Sequence, residues 1–178
     1  MNSITPFNRL ALLSALGLIL LLLLLVAGPG CSDRKQQLTT VGTMPAFTLS
    51  SALDGSPINS QDYKGQAMVI TFFATWCAPC RQEVPTLIAL QNKYADRDFT
   101  VLAISVDQGD TRKVRNFMTE LGINYPVAMS DPDTPKDFGN VFGIPTSFLV
   151  DRKGNIVQRY DGYVDITVLE RALQEVLG

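Results

Sequence analysis

The chain after residue 44 alternates between apolar runs and segments whose apolar residues recur at helical spacing. Residues 67–74 and 99–106 are almost unbroken in apolar and β-branched residues, which predicts two strands buried on both faces. Helical spacing predicts helices at residues 79–94, 111–121 and 165–177, the last with Asp165 as its N-cap. Weaker patterns predict short strands at residues 125–128, 146–150 and 155–160, and a helical turn at residues 137–142.

A small hairpin is predicted ahead of the first long strand. Residues 47–49 have the pattern of a strand, and Asp54-Gly55-Ser56-Pro57 is a turn sequence. The strands that follow alternate with helices and are closed by a second hairpin and a helix. This order indicates an α/β fold, with a mixed central sheet covered by helices on both faces.

The N-terminal segment has a different character. Residues 10–27 carry no charge and include an unbroken leucine run at residues 20–25. As a helix this segment would extend about 27 Å, close to the thickness of a bilayer core. It is also longer than the roughly 7–15 apolar residues of an ordinary signal peptide. We predict a signal peptide or membrane anchor at residues 1–30, a polar tether at residues 31–43 and one domain at residues 44–178.

Cys31 directly follows the apolar segment and precedes Ser32-Asp33-Arg34-Lys35. Its place suggests lipid attachment at a new N-terminus, although Pro29 fits a lipoprotein signal poorly. The charges that flank the apolar segment give only a weak positive-inside bias. Lipidation, an uncleaved helix and a cleaved soluble form therefore stay open. Each of them places the domain outside the cytoplasm, on the periplasmic side of the membrane.

Composition excludes several kinds of chemistry. The chain contains no histidine, which rules out Cys–His catalysis, Ser–His catalysis and imidazole metal ligands within it. The formal net charge is −2, so nothing in the charge balance indicates nucleic acid or an anionic membrane surface as a partner.

The motif Trp76-Cys77-Ala78-Pro79-Cys80 joins the first long strand to the first long helix. Two thiols at this spacing lie one helical turn apart, close enough to form a disulfide. Unpaired backbone N–H groups and the helix dipole at the helix start favour the thiolate of Cys77, the form that attacks disulfides. Half of a zinc site and a purely structural disulfide are the alternatives. The chain has no second cysteine pair and no histidine to complete a zinc site, and so small a ring constrains little chain entropy, so redox chemistry is favoured.

The stretch from Phe72 to Cys80, followed by Pro85, resembles the active-site strand and helix of the thioredoxin superfamily. Gly143-Ile144-Pro145-Thr146 resembles its second signature, a loop with a cis proline beside the cysteines. Residues 99–121, Glu83 and the apolar N-terminus are similar to the membrane-tethered group of TlpA, ResA and the cytochrome c maturation thioredoxins. The resemblance covers about residues 44–178 and implies a thioredoxin-like fold with an inserted strand–helix unit.

The resemblance implies a role for each motif residue. Cys77, expected to be the more exposed thiol, would attack the substrate disulfide, and Cys80 would resolve the mixed disulfide. Trp76 would face the substrate. Pro145 would be cis, would offer no N–H and could not bind metal. The backbone of Ile144 could pair with an extended substrate segment.

Glu83 has two interpretations. It could be a solvated residue of the first helical turn, stabilised by the helix dipole. The membrane-tethered group instead implies a carboxylate that tunes the titration of the thiols and transfers protons. Thr71 departs from thioredoxin, which has a buried aspartate at the matching place, so Glu83 is the candidate substitute.

These features predict an extracytoplasmic thiol–disulfide oxidoreductase that reduces disulfides of exported proteins, with apocytochrome c as a suggested substrate. A membrane electron donor would reduce it again, and it would need no cofactor or metal besides its redox-active cysteines. A peroxiredoxin-like peroxidase is one alternative, but it would need a threonine where Ala74 stands. A copper-delivery domain is another, but it would need wider cysteine spacing and a histidine.

Overall fold

The structure, a computed structural model, describes residues 40–178, which form one mixed eight-stranded sheet with helices packed on it. The strands are β1 (Gly42–Thr43), β2 (Thr48–Ser51), β3 (Pro57–Asn59), β4 (Ala67–Phe73), β5 (Phe99–Ser105), β6 (Val127–Met129), β7 (Thr146–Val150) and β8 (Asn155–Asp161). The helices are α1 (Ala78–Tyr94), α2 (Arg112–Leu121), α3 (Thr134–Asp137) and α4 (Ile166–Leu177). The predicted thioredoxin-like α/β class is confirmed.

The strand order across the sheet is β1-β8-β7-β4-β5-β6-β2-β3. The central pair β4–β5 is parallel, and so is β5–β6, whereas β7 runs antiparallel to β4. Both long strands are buried along their whole length, as their unbroken apolar sequence predicts. The predicted N-terminal hairpin is present as β2–β3.

Alternate residues of β4 belong to two separate cores. Val69 and Phe73 face α1, α2 and α4, whose buried residues form the larger cluster. Met68, Ile70 and Phe72 face the opposite side, where they cluster with Phe138, which directly follows α3, and with Leu49 of β2. There the ring of Phe138, next to α3, lies 5.3 Å from Phe72 and 5.2 Å from Phe148, measured between centroids.

Two local predictions need correction. The helical turn expected at residues 137–142 lies earlier, as α3 at Thr134–Asp137. There Pro135 occupies the first turn, and Asp131 accepts a hydrogen bond of 2.7 Å from the N–H of Thr134. In addition, β1 lies at the end of the predicted tether and pairs with β8. A strand of two residues is too short to give a sequence pattern, so only its pairing with β8 reveals β1 at the edge of the sheet.

Within residues 40–178, no helix is both long and apolar enough to cross a membrane. The predicted membrane or signal segment at residues 1–30 and the predicted lipid attachment site Cys31 lie outside the described residues.

Candidate active site

Cys77 and Cys80 form a disulfide at the start of α1, with their Cα atoms 5.3 Å apart. Cys77 is the N-cap residue, and its sulfur accepts a hydrogen bond of 3.2 Å from the N–H of Cys80. A sulfur at this position faces the positive end of the helix dipole, which stabilises a thiolate there after reduction. Cys77 is 6% exposed and Cys80 3%, so in the oxidised protein the expected greater exposure of Cys77 is slight.

The second signature lies directly against Cys77. The carbonyl oxygen of Ile144 is 3.7 Å from the sulfur of Cys77, and the Ile144–Pro145 bond is cis, as predicted. This proximity follows from strand register, because Thr146 at the start of β7 pairs with Phe72 near the end of β4. The structure thus places Ile144, a substrate-binding candidate, beside the sulfur of Cys77, and Pro145, the other candidate, follows it in the chain.

Trp76 directly precedes Cys77 in the chain, and 73% of its surface is exposed. Its contact with substrate stays a prediction. The neighbouring residue Thr75 is hydrogen-bonded to a carboxylate that follows β5, so the loop that carries Trp76 is anchored at this point.

The anchoring carboxylate belongs to Asp107, a residue outside every motif of the sequence. Its carboxylate accepts hydrogen bonds from the N–H of Thr75 at 2.8 Å, from the hydroxyl of Thr75 at 2.7 Å and from the hydroxyl of Ser105 at 2.8 Å. No local pattern links residues 75 and 107. The available signal is topological: β4 and β5 are parallel neighbours, so polar residues after both strands meet at one sheet edge.

Glu83 is buried, with 1% of its surface exposed, so its interpretation as a solvated residue is wrong. One carboxyl oxygen accepts a hydrogen bond of 3.4 Å from the hydroxyl of Thr71, and the other accepts one of 3.3 Å from the N–H of Val164. Burial raises the pKa of Glu83 to about 7, and the two long hydrogen bonds offset this effect only in part. A carboxyl group with such a pKa can both release and accept a proton near neutral pH.

The burial of Glu83 has a signal in the sequence. Cys80, Val84 and Leu87 lie on the buried face of α1 and follow helical spacing, and Glu83 falls on the same stripe. The position therefore predicts burial, while the residue type predicts exposure. A buried carboxyl group on an apolar stripe is a strong indication of a functional site.

Cys80 and Glu83 line one small cavity of ≈ 10 Å³ together with Thr71 and Tyr125. The volume is near the lower limit for one water molecule. Burial raises the pKa of the Tyr125 hydroxyl, and the nearby negative charge of Glu83 raises it further. In the reduced protein a thiolate on Cys80 and a carboxylate on Glu83 would repel each other, because both groups line the same cavity.

Thr71 links this pair to the next strand. Its hydroxyl donates to Glu83 and accepts a hydrogen bond of 2.9 Å from the hydroxyl of Ser147 on β7. Threonine at the place of thioredoxin's aspartate therefore serves as a hydrogen-bond donor to a carboxylate that comes from the helix.

The comparisons with known proteins agree with this geometry. The model of the Redoxin family matches residues 40–177. The chain belongs to the Redoxin family. Among its curated relatives, the thiol-disulfide oxidoreductase ResA of Bacillus cereus is 30% identical, over 83% of this chain and 84% of the relative. The thioredoxin-like protein YneN of Bacillus subtilis is 33% identical, over 72% of this chain and 75% of the relative.

A solved structure shows the same similarity. The thiol:disulfide interchange protein of the thioredoxin family from Chlorobium tepidum is 37% identical, with a TM-score of 0.71, over 77% of this chain and 97% of that chain. The protein is thus a ResA-like thiol–disulfide oxidoreductase of the thioredoxin superfamily. The CxxC pair forms the disulfide that such an enzyme requires.

Proposed function

We propose that this oxidoreductase works outside the cytoplasm and reduces disulfides of exported proteins. The observation that carries the direction is the arrangement at Cys77. Only Ala78 and Pro79 separate Cys77 from Cys80 at the start of the helix. No histidine lies between the cysteines to stabilise the thiolate as in strongly oxidising relatives, so the disulfide is a weak oxidant and the dithiol a useful reductant.

The reaction proceeds by two exchanges. The thiolate of Cys77 attacks a substrate disulfide, an S–S bond forms between Cys77 and one substrate sulfur, and the other substrate sulfur leaves and takes up a proton. Cys80 then loses its proton and attacks Cys77, which releases the second substrate thiol and forms the Cys77–Cys80 disulfide. Two electrons pass from enzyme to substrate.

Glu83 is the proposed proton acceptor for Cys80 in the second exchange. It lines the same cavity as Cys80, and a pKa of about 7 lets it take a proton from a thiol and return it near neutral pH. The hydroxyl of Thr71 stays hydrogen-bonded to the carboxylate while it is charged. The reaction uses no cofactor or metal besides the two cysteines.

Trp76, Ile144 and Pro145 are the proposed substrate-binding residues. The exposed Trp76 and the Ile144 backbone flank the attacking sulfur, which supports pairing with an extended substrate segment.

The apolar segment at residues 10–27 supports attachment to the membrane by an uncleaved helix or by lipid on Cys31. A domain held there would receive electrons from a membrane dithiol donor, because each turnover leaves Cys77 and Cys80 oxidised. The likeness to the membrane-tethered group suggests apocytochrome c as one exported substrate.

Two measurements test this proposal. Equilibration with glutathione buffers should give a reduction potential nearer about −270 mV than about −120 mV, and a value above roughly −180 mV contradicts the reductase direction. In cells, Cys80→Ser should accumulate mixed disulfides on Cys77, whereas Cys77→Ser should accumulate none. Identification of the trapped proteins tests whether the substrates are exported proteins.

A further inference from the structure

Ser147 is a polar residue in the middle of the sheet, with 0% of its surface exposed. It lies on β7, two residues after the cis proline Pro145, and pairs in register with Thr71 of β4. Strand positions buried on both faces ordinarily carry apolar residues, as residues 148–150 of the same strand do. A buried hydroxyl costs free energy unless it is hydrogen-bonded, so its partner indicates its role.

That partner is the hydroxyl of Thr71. Ser147 donates to the Thr71 oxygen at 2.9 Å, and Thr71 donates to Glu83 at 3.4 Å. Among the described residues, the Ser147 side chain makes no other hydrogen bond. A hydroxyl group has one hydrogen to donate. The three groups therefore form a chain of hydrogen bonds that runs in one direction, from Ser147 to Glu83.

The direction of this chain favours one protonation state of Glu83. A carboxylate only accepts hydrogen bonds, so it matches a Thr71 hydroxyl that donates. A protonated Glu83 could donate to Thr71 only if the Thr71 hydrogen left this contact and turned toward Ser147. The Ser147 hydrogen would then lose its acceptor inside the sheet, which is unfavourable. Ser147 thus stabilises the charged carboxylate without contacting it.

The other groups that face Glu83 leave this stabilisation important. Cys80 on the same helix and Tyr125 before β6 are the other titratable residues that line its cavity, and no basic side chain of the described chain lines it. From the loop before α4, the N–H of Val164 donates to Glu83, while the carboxylate of Asp165 caps α4. Burial raises the pKa of Glu83, and only the contacts with Val164 and Thr71 lower it.

We propose that Ser147 is a positioning residue for the proton acceptor: it holds the Thr71 hydroxyl in the direction that donates to Glu83. Hydrogen bonds in a buried chain polarise one another, so the bond from Ser147 strengthens the bond to the carboxylate. The proposal rests on the proposed function for the proton transfer from Cys80. It adds a residue on β7, outside both the helix and the cysteine motif, that controls the acceptor.

The first test measures the carboxyl group itself and needs no activity. The oxidised full-length chain, in detergent, is labelled with ¹³C at its glutamate carboxyl carbons, and the Glu83 signal is the one missing in E83Q. Ser147→Ala should raise the pKa of Glu83 by about half a pH unit, because the carboxylate loses part of its stabilisation. Ser147→Thr keeps the hydroxyl and should titrate as the parent.

Ser60→Ala is the matched control, because Ser60 is also buried, at 3% exposure, and its hydroxyl oxygen accepts from the N–H of Phe47. It should leave the Glu83 titration unchanged. A double-variant cycle tests the route: in the T71V background, S147A should add less than about 0.2 pH unit, since Ser147 then has no hydroxyl to orient. An absent shift in S147A, a shift that persists in the T71V background or an equal shift in S60A would overturn the proposal.

The second test separates this proposal from the proposed function. The reduced chain reacts with saturating oxidised glutathione, and the fluorescence of Trp76, the single tryptophan, follows its oxidation. At about pH 6.5, S147A should react about threefold more slowly than the parent, and at about pH 8.5 equally fast, because the carboxylate fraction differs only at the lower pH.

The two readouts fail in different ways. A shifted Glu83 titration without the rate difference supports the role of Ser147 and contradicts Glu83 as the proton acceptor. An unshifted titration, together with a pH-dependent rate difference between the parent and E83Q, overturns the role of Ser147 and supports Glu83 as the acceptor.

Discussion

Two carboxyl groups lie beside the redox loop and differ in how they are hydrogen-bonded. Asp107 is half-buried and accepts three side-chain or loop hydrogen bonds of 2.7–2.8 Å, two of them from Thr75. Glu83 is buried and accepts two bonds of 3.3 and 3.4 Å. Asp107 thus has short hydrogen bonds and a partly exposed side chain. Glu83 has only long hydrogen bonds and almost no exposed surface.

This difference suits the two carboxyl groups to different tasks, Asp107 to positioning the loop and Glu83 to proton transfer. Short hydrogen bonds from a backbone N–H and two hydroxyls stabilise a charged carboxylate and hold the segment that donates them. Long hydrogen bonds in a buried place leave the charged form poorly stabilised, so the pKa rises into the range where protons are exchanged. Asp107 therefore positions Thr75, and the raised pKa of Glu83 supports its proposed role as the proton acceptor for Cys80.

The largest expected effect is that of Glu83→Gln on stability as a function of pH. The folded protein holds the Glu83 proton with a pKa of about 7, against an ordinary value of 4.5. The unfolded chain therefore loses this proton first, and parent stability falls as the pH rises from about 4.5 to about 7. Glutamine does not titrate, so the stability of E83Q relative to the parent should rise by about 3 kcal/mol across this window.

Urea unfolding of the oxidised proteins between pH 4 and 8 measures this difference, and thiol reactivity of the reduced proteins over the same range tests proton transfer. The pH profile of Cys80 in the resolving step should shift in E83Q. A constant stability difference together with overlaid reactivity profiles would show that Glu83 does not titrate in this range.

Asp107→Ala should have the next largest effect, and one that differs in kind. It removes the acceptor for Thr75 and Ser105 and should lower the free energy of unfolding by about 1–3 kcal/mol. Thiol–disulfide exchange should slow at every pH, and the shape of the rate–pH profile should not change. The loop of Trp76 and Cys77 loses the carboxylate that anchors it. Asp107→Asn keeps one carbonyl acceptor and should recover part of both losses. A slowing confined to one part of the pH range would contradict the positioning role.

Thr71→Val should raise the pKa of Glu83 further, by less than about one pH unit, since it removes the longer of its two hydrogen bonds. The measurement is the midpoint of the pH-dependent stability difference relative to E83Q. Thr71→Ser keeps the hydroxyl and is the matched control. A lower midpoint in T71V would mean that this hydroxyl does not stabilise the carboxylate.

Glu120→Gln should have the smallest effect. Glu120 forms an ion pair of 2.9 Å with Arg81, and both side chains are well exposed, at 62% and 42%. Surface pairs of this kind contribute between about 0 and 1 kcal/mol, and salt weakens them. Unfolding of E120Q in low and high salt should confirm a small effect that disappears with salt. A loss as large as that of D107A would show that burial does not explain the contrast between the carboxyl groups.

Much of the fold was predictable because the long elements have strong local patterns. The unbroken apolar runs predicted β4 and β5, and helical spacing predicted α1, α2 and α4, with Asp165 capping the last. The short elements were less predictable. β1 depends on pairing with β8. α3 begins where Asp131 accepts a hydrogen bond from its first turn and Pro135 needs none. A hydrophobic pattern predicts neither feature.

The sequence alone determined the redox chemistry. Two cysteines one turn apart at a helix start were enough to predict a disulfide, whereas the cis bond at Pro145 was implied by the resemblance of its motif to the thioredoxin superfamily. The chemistry of the cysteine pair is local, because it depends on the helix repeat and on backbone N–H groups. The tertiary structure decided how the site is supported and tuned.

The contacts that do this join distant residues: Thr75 with Asp107, 32 positions apart, Thr71 with Ser147, 76 apart, and Glu83 with Val164, 81 apart. Strand order and register bring them together, and no sequence period encodes either. The same packing buries Glu83 and brings the Ile144 carbonyl to the sulfur of Cys77. Solvation and proximity are properties of the assembled sheet, so the pKa of a carboxyl group and the surface offered to a substrate emerge only when the chain is folded.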